Sequence, residues 1–566
     1  MKRIWLLSLI SLTFLLSCKT GSKVFYSSKK SAITKKAMVV SAHPLASKVG
    51  KKIMQKGGNA IDAAVAVQFT LAVVYPNAGN IGGGGFMIYR DKQGKNVALD
   101  YREKAPEAAT KDMYLDKNGD VIPKLSLDGH LAAGVPGSVD GMVTAHEKYG
   151  KLPFNVLLEP AIKLAKEGFP ISKQQAGGLN KFMNQFMDLN TTRPVFVKKE
   201  NWKAGDLLIQ NDLAETLILI RDKGRAGFYE GPTADKIVAE MKAGNGIMTH
   251  KDLKDYSSRW RTPIIKPYKN YHIISMPPPS SGGIALAQML KMVEPYPIAD
   301  WGFQSTKTTH LMAEAERRVY ADRSMHLGDA DFYPVPVNDL LDDVYIKNRM
   351  SDFNNNKATS SSDIDGGKIA ILESEETTHF SIVDTEGNAV SITTTLNASF
   401  GSKTVVSGAG FLLNNEMDDF SSKPGVPNFY GLVGAEANAI APGKRMLSSM
   451  TPTIVTKNKK LYMVLGSPGG STIITSVFQV FLNVAEFGMT VDEAVKAQRF
   501  HHQWLPDQIS VEENSLNTET LSQLKAMGHT VKVRGAIGRV EAIHVLENGE
   551  LSGAADWRGD DSVEGF

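Results

Sequence analysis

The stretch ESEETTHFSIVDTEGNAVSITTTLNASFG, residues 373–401, contains the pattern that decides the fold. Apolar and polar side chains alternate in 380–383 and again in 390–393, on either side of the sequence DTEGN at 384–388. Such alternation around a turn predicts a β-hairpin. Gly387 supplies the positive φ that this kind of turn requires.

The length of the turn determines which side chains face each other. If the loop holds three residues centred on Glu386, antiparallel pairing places Thr395 directly opposite Thr377. A second hydroxyl then lies near the first, within reach of a hydrogen bond. A two-residue loop would shift the register by one and turn Thr395 to the other face of the sheet.

Thr377 has two interpretations from the residues alone. It is an ordinary strand threonine, since Thr is favoured in strands, or it is a nucleophile that becomes an N-terminus when the chain is cut after Glu376. An N-terminal threonine carries its own base, because its α-amino group has a pKa of about 8. The sequence lacks the G-x-S-x-G elbow of common serine hydrolases. Residues 354–376, polar at first and then acidic, predict an exposed, poorly ordered linker before Thr377.

Composition limits the domain organisation and the kinds of partner that we expect. The chain has 566 residues, 42% of them apolar and 22% charged, which predicts a substantial core in one large layered domain or several domains. The formal net charge is +4 without a long basic run, which argues against nucleic acid as a partner.

The N-terminus reads MKRIWLLSLISLTFLLSCKT. Two basic residues precede an apolar run, Ile4 to Leu16, that is short for a membrane span and typical of a signal peptide. The run ends in LLSC, which resembles the bacterial lipobox, and Cys18 is the single cysteine of the chain. We therefore expect a signal peptide over 1–17, lipidation of Cys18 and an exported protein anchored at the periplasmic or cell surface. A plain signal peptide with an incidental cysteine is the alternative.

Further elements are predicted along the chain. The Lys- and Ser-rich residues 18–36 favour a flexible tether, with globular sequence beginning near Ala37. An apolar segment with no charge between Asp62 and Arg90 favours a buried helix from about Asn59 to Val74. Residues 307–329 have helical apolar spacing with mixed surface charge. Residues 462–488 predict a strand, a glycine-rich turn and an apolar helix.

An ordered set of motifs resembles one family. TTHFSIVD, TLNASFG, LLNNEMDDF, KPGVPNFYGLVG, LSSMTPTIV and GSPGGS resemble the small subunit of bacterial γ-glutamyltransferases, also called glutathione hydrolases. GGNAIDAAVA, IGGGGFMIYR, DYREKAPEAA and GVPGSVDGM resemble their large subunit. The resemblance implies an α/β (α+β) fold, the four-layer α-β-β-α sandwich of N-terminal-nucleophile hydrolases. It also implies autocatalytic cleavage between Glu376 and Thr377 into a large subunit, 37–376, and a small catalytic subunit, 377–566.

The resemblance also assigns roles by position. Thr377 is implied as the nucleophile and Thr395 as its hydrogen-bond partner. Gly469 and Gly470 are implied as the oxyanion hole. This agrees with physical expectation, because glycine lets backbone N–H groups approach an oxyanion at a helix N-terminus. The implied substrate contacts are Arg102, Ser448 and Ser449 for the α-carboxylate, Asn397, Glu416 and Asp419 for the α-ammonium, and Tyr430 in a loop, 423–434, over the pocket.

The implied partners are glutathione and other γ-glutamyl compounds, acceptor amino acids or peptides, and the large and small subunits as a heterodimer. The implied acyl transfer needs no metal or organic cofactor. His501 and His502 are not expected to bind a metal, because adjacent histidines on a strand point apart. Three alternatives remain: a cephalosporin acylase, a transferase acting on capsular poly-γ-glutamate, and a catalytically silent lipoprotein that binds γ-glutamyl compounds.

Overall fold

The computed structural model of the chain describes Tyr26 and residues 28–364, 377–423 and 434–566. Three predicted functional residues, Cys18, Glu376 and Tyr430, lie outside the described residues. Within these ranges, every helix is too short or too polar to cross a bilayer.

The strands pair into two large sheets and two small ones. In chain order they are β1 Ser31–Thr34, β2 Met38–Ser41, β3 Gly84–Arg90, β4 Asn96–Tyr101, β5 Phe169–Pro170, β6 Leu207–Leu208, β7 Arg259–Arg261, β8 Ile264–Tyr268, β9 Tyr271–Ser275, β10 Thr377–Val383, β11 Ala389–Thr395, β12 Thr453–Lys457, β13 Lys460–Gly466, β14 Phe500–His501, β15 Ile509–Glu512, β16 Val531–Arg534, β17 Glu541–Val545, β18 Leu551–Ala555 and β19 Ser562–Gly565.

The helices cover the outer faces of the two large sheets. They are α1 Pro44–Gln55, α2 Ala60–Val74, α3 Ser138–Tyr149, α4 Phe154–Glu167, α5 Lys173–Lys181, α6 Met183–Asp188, α7 Asn211–Lys223, α8 Ala226–Tyr229, α9 Gly231–Ala243, α10 His250–Lys254, α11 Gly282–Val293, α12 Ile298–Trp301, α13 Thr306–His326, α14 Val337–Leu340, α15 Asp343–Arg349, α16 Thr472–Ala485, α17 Val491–Lys496 and α18 Thr518–Ala526. Short 3₁₀ turns lie at His130–Ala132, Ser361–Asp363, Glu416–Asp419 and Glu436–Asn438.

Both large sheets are antiparallel and combine strands from before and after Thr377. One has the order β1-β18-β17-β13-β12-β9-β8, and the other has the order β19-β2-β10-β11-β3-β4-β7. A cut before Thr377 would therefore leave two chains joined by the hydrogen bonds of both sheets. Separating the two chains would require the hydrogen bonds between their strands to break.

Three apolar cores define the layers. A central core lies between the sheets and includes Val40 and Phe86 from one sheet and Ile454 and Val464 from the other. A second core packs α1, α2, α4 and α7 against the outer face of the β10–β11 sheet. A third packs α11, α13, α16 and α17 against the outer face of the β12–β13 sheet. This is the four-layer α-β-β-α sandwich expected from the resemblance.

Two local predictions are confirmed. The β10–β11 hairpin pairs Thr377 with Thr395, and Asp384 N–H donates to Asn388 O at 3.0 Å around a three-residue loop. The buried helix α2 begins after Asn59, whose side chain caps it. In return the Asn59 N–H donates to the Asp62 carboxylate at 2.9 Å, and this reciprocal pair explains why the helix begins at that point.

Three expectations need correction. Residues 31–34 were expected in a flexible tether but form the edge strand β1, which is paired with β18. The linker is exposed over 354–357, as predicted, but Ser361 and Ile364 are buried; residues 365–376 lie outside the described residues. The charges of 307–329 were expected at the surface. Most are instead buried, since α13 passes through the interior and its charges pair there, as Arg318 does with Glu314 at 2.6 Å.

Candidate active site

A small cleft opens at the N-terminal end of β10. Its lining includes most of the residues that the sequence had predicted. The lining residues are Arg102, Arg323, Thr377, Thr395, Asn397, Glu416, Asp419, Ser448, Ser449, Met450, Gly470 and Ile473. Gly469 is the neighbour of Gly470 in the same turn. Sequence reasoning missed Arg323, Met450 and Ile473.

Thr377 is the first residue of β10 and is 5% exposed. Its partner Thr395 has its hydroxyl oxygen fixed, because Thr395 Oγ accepts the Asn397 N–H at 2.7 Å. With that lone pair occupied, the Thr395 O–H can donate toward the facing Thr377. Such a donor would stabilise negative charge on the Thr377 oxygen.

A buried polar column continues behind Thr377 between the two sheets. His379 contacts Thr393 Oγ at 2.9 Å through Nδ1 and Ser381 Oγ at 3.0 Å through Nε2. Burial lowers the pKa of His379 to about 3, so the ring is neutral. A Cβ at Gly466 would lie 2.3 Å from this ring, so β13 needs glycine there to pack against it. With both nitrogens occupied, His379 supports the nucleophile strand without acting as its base.

The glycine turn before α16 lies at the other side of the cleft. Gly469 and Gly470 both have positive φ, 133° and 55°. A Cβ on Gly469 would come within 2.5 Å of Thr472 Oγ, which donates to Gly469 O at 2.7 Å. The turn therefore requires glycine and exposes backbone N–H groups at the start of a helix. This geometry suits stabilisation of an oxyanion.

A hydrogen-bond network holds this turn from behind. Tyr320 of α13 donates its hydroxyl to the Ser471 carbonyl, and Ser471 Oγ donates to Gln503 Oε1 at 2.6 Å. His501 reaches Thr475 Oγ at 2.9 Å, whereas His502 faces Asp507 at 3.4 Å. Burial lowers the pKa of His501 to about 3 and that of His502 to about 4. The adjacent histidines point apart, as predicted.

At the opposite end of the cleft, Arg102 is buried against three carboxylates. Its Nη1 donates to Glu416 at 2.6 Å and to Glu103 at 3.4 Å, and its Nη2 donates to Asp419 at 2.5 Å. Nε and Nη2 also reach the carbonyl oxygens of Met446 and Leu447, each at 3.3 Å. The predicted carboxylate-binding arginine and two of the predicted ammonium-binding residues thus pair with each other.

This cluster carries more carboxylates than cations. Burial raises the pKa of Glu103 to about 7, against the opposing attraction of Arg102. Burial also raises the pKa of Glu416 well above its ordinary value, and repulsion from Glu103 adds to the effect. Burial alone would lower the pKa of Arg102, but attraction by Glu416, Glu103 and Asp419 raises that pKa above its ordinary value. The arginine therefore stays charged while the cluster retains a proton near neutral pH.

The two predicted serines belong to a segment held by the region before α11. Ser281 N–H donates to Ser448 O at 2.8 Å, and Ser448 N–H donates to Pro279 O at 2.9 Å. Arg323, from the last turn of α13, donates to Ser449 Oγ at 3.2 Å.

Asn397, the remaining predicted contact, has a positive φ of 74° and donates Nδ2 to Asn415 O at 2.9 Å.

A group of possible metal ligands lies elsewhere among the described residues, at His310, Glu314 and His529. His310 Nδ1 and His529 Nε2 are already hydrogen-bonded at 2.7 Å, and Glu314 pairs with Arg318 at 2.6 Å and with Arg317 at 3.4 Å. Two adjacent guanidinium groups disfavour a cation here. This group fits a structural role, joining α13 to the turn after α18.

Comparisons with known proteins agree with this geometry. The family model Gamma-glutamyltranspeptidase matches residues 46–566. The chain is 48% identical to the glutathione hydrolase proenzyme of Escherichia coli (strain K12), over 94% of this chain and 92% of that protein. The structure of Helicobacter pylori gamma-glutamyltranspeptidase is 47% identical, with a TM-score of 0.57 over 60% of this chain and 97% of that one. A cephalosporin acylase from Bacillus halodurans superposes with a TM-score of 0.84 at 26% identity, over 96% of this chain and 98% of that one.

The layered fold, with a threonine leading a central strand beside a glycine turn, defines an N-terminal-nucleophile hydrolase. Within that class, the chain belongs to the γ-glutamyltranspeptidase family.

Proposed function

We propose that this protein is a γ-glutamyl hydrolase/transferase that acts on glutathione and related compounds. The observation that carries the proposal is the cleft itself. It places Thr377, at the head of β10 and opposite Thr395, in one cavity with Gly470 and a site that combines a guanidinium with two carboxylates. An α-amino acid group carries one carboxylate and one ammonium, so it matches that charge pattern.

Maturation would begin at Thr377. Its Oγ attacks the carbonyl carbon of Glu376, the C–N bond breaks as the nitrogen takes the proton, and an ester replaces the peptide bond. Water then hydrolyses the ester, which frees the Glu376 carboxylate and the Thr377 α-amino group. The large chain, which ends at Glu376 and includes β1 and β2, and the small chain, 377–566, would remain together because both sheets combine strands from each.

Turnover would use the new amine as the base. The amine takes the proton of Thr377 Oγ as the oxygen attacks the γ-amide carbon of the donor. The N–H groups at Gly469 and Gly470 stabilise the tetrahedral oxyanion. The leaving amine departs with the proton and leaves a γ-glutamyl ester on Thr377. Water or the amine of an acceptor amino acid or peptide then resolves the ester in the second half of a ping-pong cycle.

When the donor binds, its α-carboxylate and α-ammonium would replace the ion pairs that Arg102 forms with Glu416 and Asp419. The α-carboxylate binds Arg102 with Ser448 and Ser449, and the α-ammonium binds Glu416 and Asp419 together with the Asn397 side-chain oxygen. Binding loosens the internal pairs of Arg102 and replaces them with equivalent pairs to substrate. Tyr430 is assigned to a loop over the pocket by the family resemblance alone.

Export and anchoring belong to the same proposal. The signal-like segment 1–17 and Cys18 support a lipoprotein at the periplasmic or cell surface. Metabolic labelling with a fatty-acid analogue tests this: wild type should incorporate label and Cys18→Ala should not.

A comparison of donors tests the activity. We expect the purified protein to release the γ-glutamyl group from glutathione faster than it cleaves a glutaryl-cephalosporin or poly-γ-glutamate. The acidic pair Glu416 and Asp419 is the reason, because a glutaryl chain has no ammonium to meet it. Preferred turnover of the glutaryl compound or the polymer would replace the proposal by the corresponding alternative, and binding without turnover would favour the silent lipoprotein.

A further inference from the structure

Arg323 is a second arginine of the cleft, on a helix far in sequence from the other lining residues. It lies in the last turn of α13 and is 5% exposed. Its Nε donates to Ser281 Oγ at 3.0 Å, and its Nη2 donates to Ser449 Oγ at 3.2 Å. The guanidinium thus bridges the segment before α11 and the serine pair of the cleft.

These contacts fix the direction of two hydroxyl protons. Ser281 Oγ accepts from Arg323 and donates to Ser448 O at 2.8 Å, so its proton is committed. Ser449 Oγ also accepts from Arg323, so its own proton points away from the guanidinium. Because Ser449 lines the cleft, that proton can be offered to a ligand there. A hydroxyl that accepts from a cation is a stronger donor in turn.

Arg102 already serves several acceptors of the protein. Arg102 donates to Glu103, Glu416 and Asp419 and to two backbone carbonyls. An incoming carboxylate must therefore share Arg102 with carboxylates of the protein. The Arg323–Ser449 pair offers an anion a hydroxyl backed by positive charge. The geometry thus provides two contacts, Arg102 and the Ser449 hydroxyl, for the carboxylate of one ligand.

We propose that Arg323 is a positioning residue for donor recognition, which orients and polarises the Ser449 hydroxyl so that it donates to the α-carboxylate of the donor. The proposal rests on the γ-glutamyl function and adds a specificity-determining residue to it. Arg323 acts through Ser449, so its effect depends on the substrate carboxylate and on the serine hydroxyl.

Three p-nitroanilide donors test the substrate carboxylate and the substrate ammonium independently. γ-Glutamyl-p-nitroanilide carries both the carboxylate and the ammonium, glutaryl-p-nitroanilide carries only the carboxylate, and 4-aminobutyryl-p-nitroanilide carries only the ammonium. KM and kcat are measured for wild type, Arg323→Met and Arg323→Lys. Lys307→Gln, which removes an exposed charge from the first turn of α13, is the matched control. Intact mass and thermal unfolding check that each variant is processed and folded.

We expect Arg323→Met to raise KM for the γ-glutamyl and glutaryl donors about tenfold to hundredfold, because Ser449 loses the charge-assisted hydrogen bond that orients its hydroxyl toward the donor. kcat should change less than threefold, and Arg323→Lys should recover part of the affinity. The 4-aminobutyryl donor and the Lys307→Gln control should behave as wild type. An equal loss on all three donors, or an unchanged KM for the carboxylate-bearing donors, would overturn the proposal.

A double substitution tests the route through Ser449. In a Ser449→Ala background, Arg323→Met should have less than a threefold further effect on KM for γ-glutamyl-p-nitroanilide. Fully multiplicative effects would contradict the route.

The donor set also separates this proposal from the γ-glutamyl function. Wild-type turnover of the glutaryl but not the γ-glutamyl donor would overturn the function, yet the Arg323 effect would still be measurable on the glutaryl carboxylate. No turnover of any of the three donors would overturn both.

Discussion

The two ends of the cleft differ in the charge of the groups that surround them. The nucleophile end, formed by Thr377, Thr395 and the Gly469–Gly470 turn, is supported by hydroxyls, backbone groups and neutral histidines. The head-group end, formed by Arg102, Arg323, Glu416, Asp419 and the two serines, is dense in charge.

The difference shows how chemistry and recognition are kept apart. Under the proposed function, a neutral surround would leave the Thr377 amine as the titrating group beside the nucleophile, so that it could serve as the base. Charge at the other end would provide selectivity between donors. Substitutions at the nucleophile end should therefore alter kcat for every donor, and those at the head-group end should alter KM for particular donors.

The largest effect is expected at Thr377. Thr377→Ala should abolish both cleavage and turnover, with activity reduced at least a thousandfold, because the same oxygen attacks in both reactions. Gel analysis and p-nitroanilide release measure the two losses. Thr377→Ser is the control and should retain both at lower rates. A cleaved Thr377→Ala protein would refute the assignment.

The next effect is expected in the glycine turn. Gly469→Ala would place a Cβ against Thr472 and force a side chain into a positive φ of 133°, which should displace the oxyanion donors. We expect kcat to fall about a hundredfold to a thousandfold for all donors, with KM changed less than threefold. Rates are normalised to the processed fraction found by mass. A loss confined to one donor would place the turn at the head-group end instead.

Selective effects are expected from the acidic pair. Asp419→Asn should raise KM about tenfold to hundredfold for γ-glutamyl- and 4-aminobutyryl-p-nitroanilide, because the ammonium loses an ionic partner. Glu416→Gln should raise KM less, because burial raises the pKa of Glu416 and favours its uncharged form. The glutaryl donor, which has no ammonium, should be affected less than threefold. Equal losses on all donors would show that the pair serves mainly to hold Arg102.

The smallest effect concerns Glu103 and pH. Burial raises its pKa in the folded protein from 4.5 to about 7, so folding binds the proton more tightly. A group whose pKa is raised on folding loses its stabilising effect as pH rises, so stability should fall from about pH 4.5 through about pH 7. Glu103→Gln lacks this titration. Its Tm should rise relative to wild type by a few degrees between pH 5 and pH 8. A difference in Tm that is independent of pH would contradict the shifted pKa.

Local patterns made part of this molecule predictable. The β10–β11 register followed from the alternation around Gly387, and α2 followed from an apolar run that begins at Asn59. The family and the four-layer fold followed from motif order and are confirmed by the comparisons.

Other features depend on long-range packing that the local pattern does not reveal. Charges on α13 have the spacing of a surface helix, but the helix is covered by partners distant in sequence, which is why Arg323 was missed. Ser31–Thr34 looked like part of a tether because its pairing partner, β18, lies more than 500 residues away. The mutual pairing of Arg102 with Glu416 and Asp419 likewise required the folded chain. The cleavage position, the Cys18 anchor and the individual site roles stay predictions.

The intact mass of the purified mature protein tests the central claim most directly. The account predicts two chains, the smaller running from Thr377 to Phe566, held together under native conditions and separated by denaturant. A single uncut chain that persists on long incubation would contradict it, because Thr377 would then have no α-amino group to act as base.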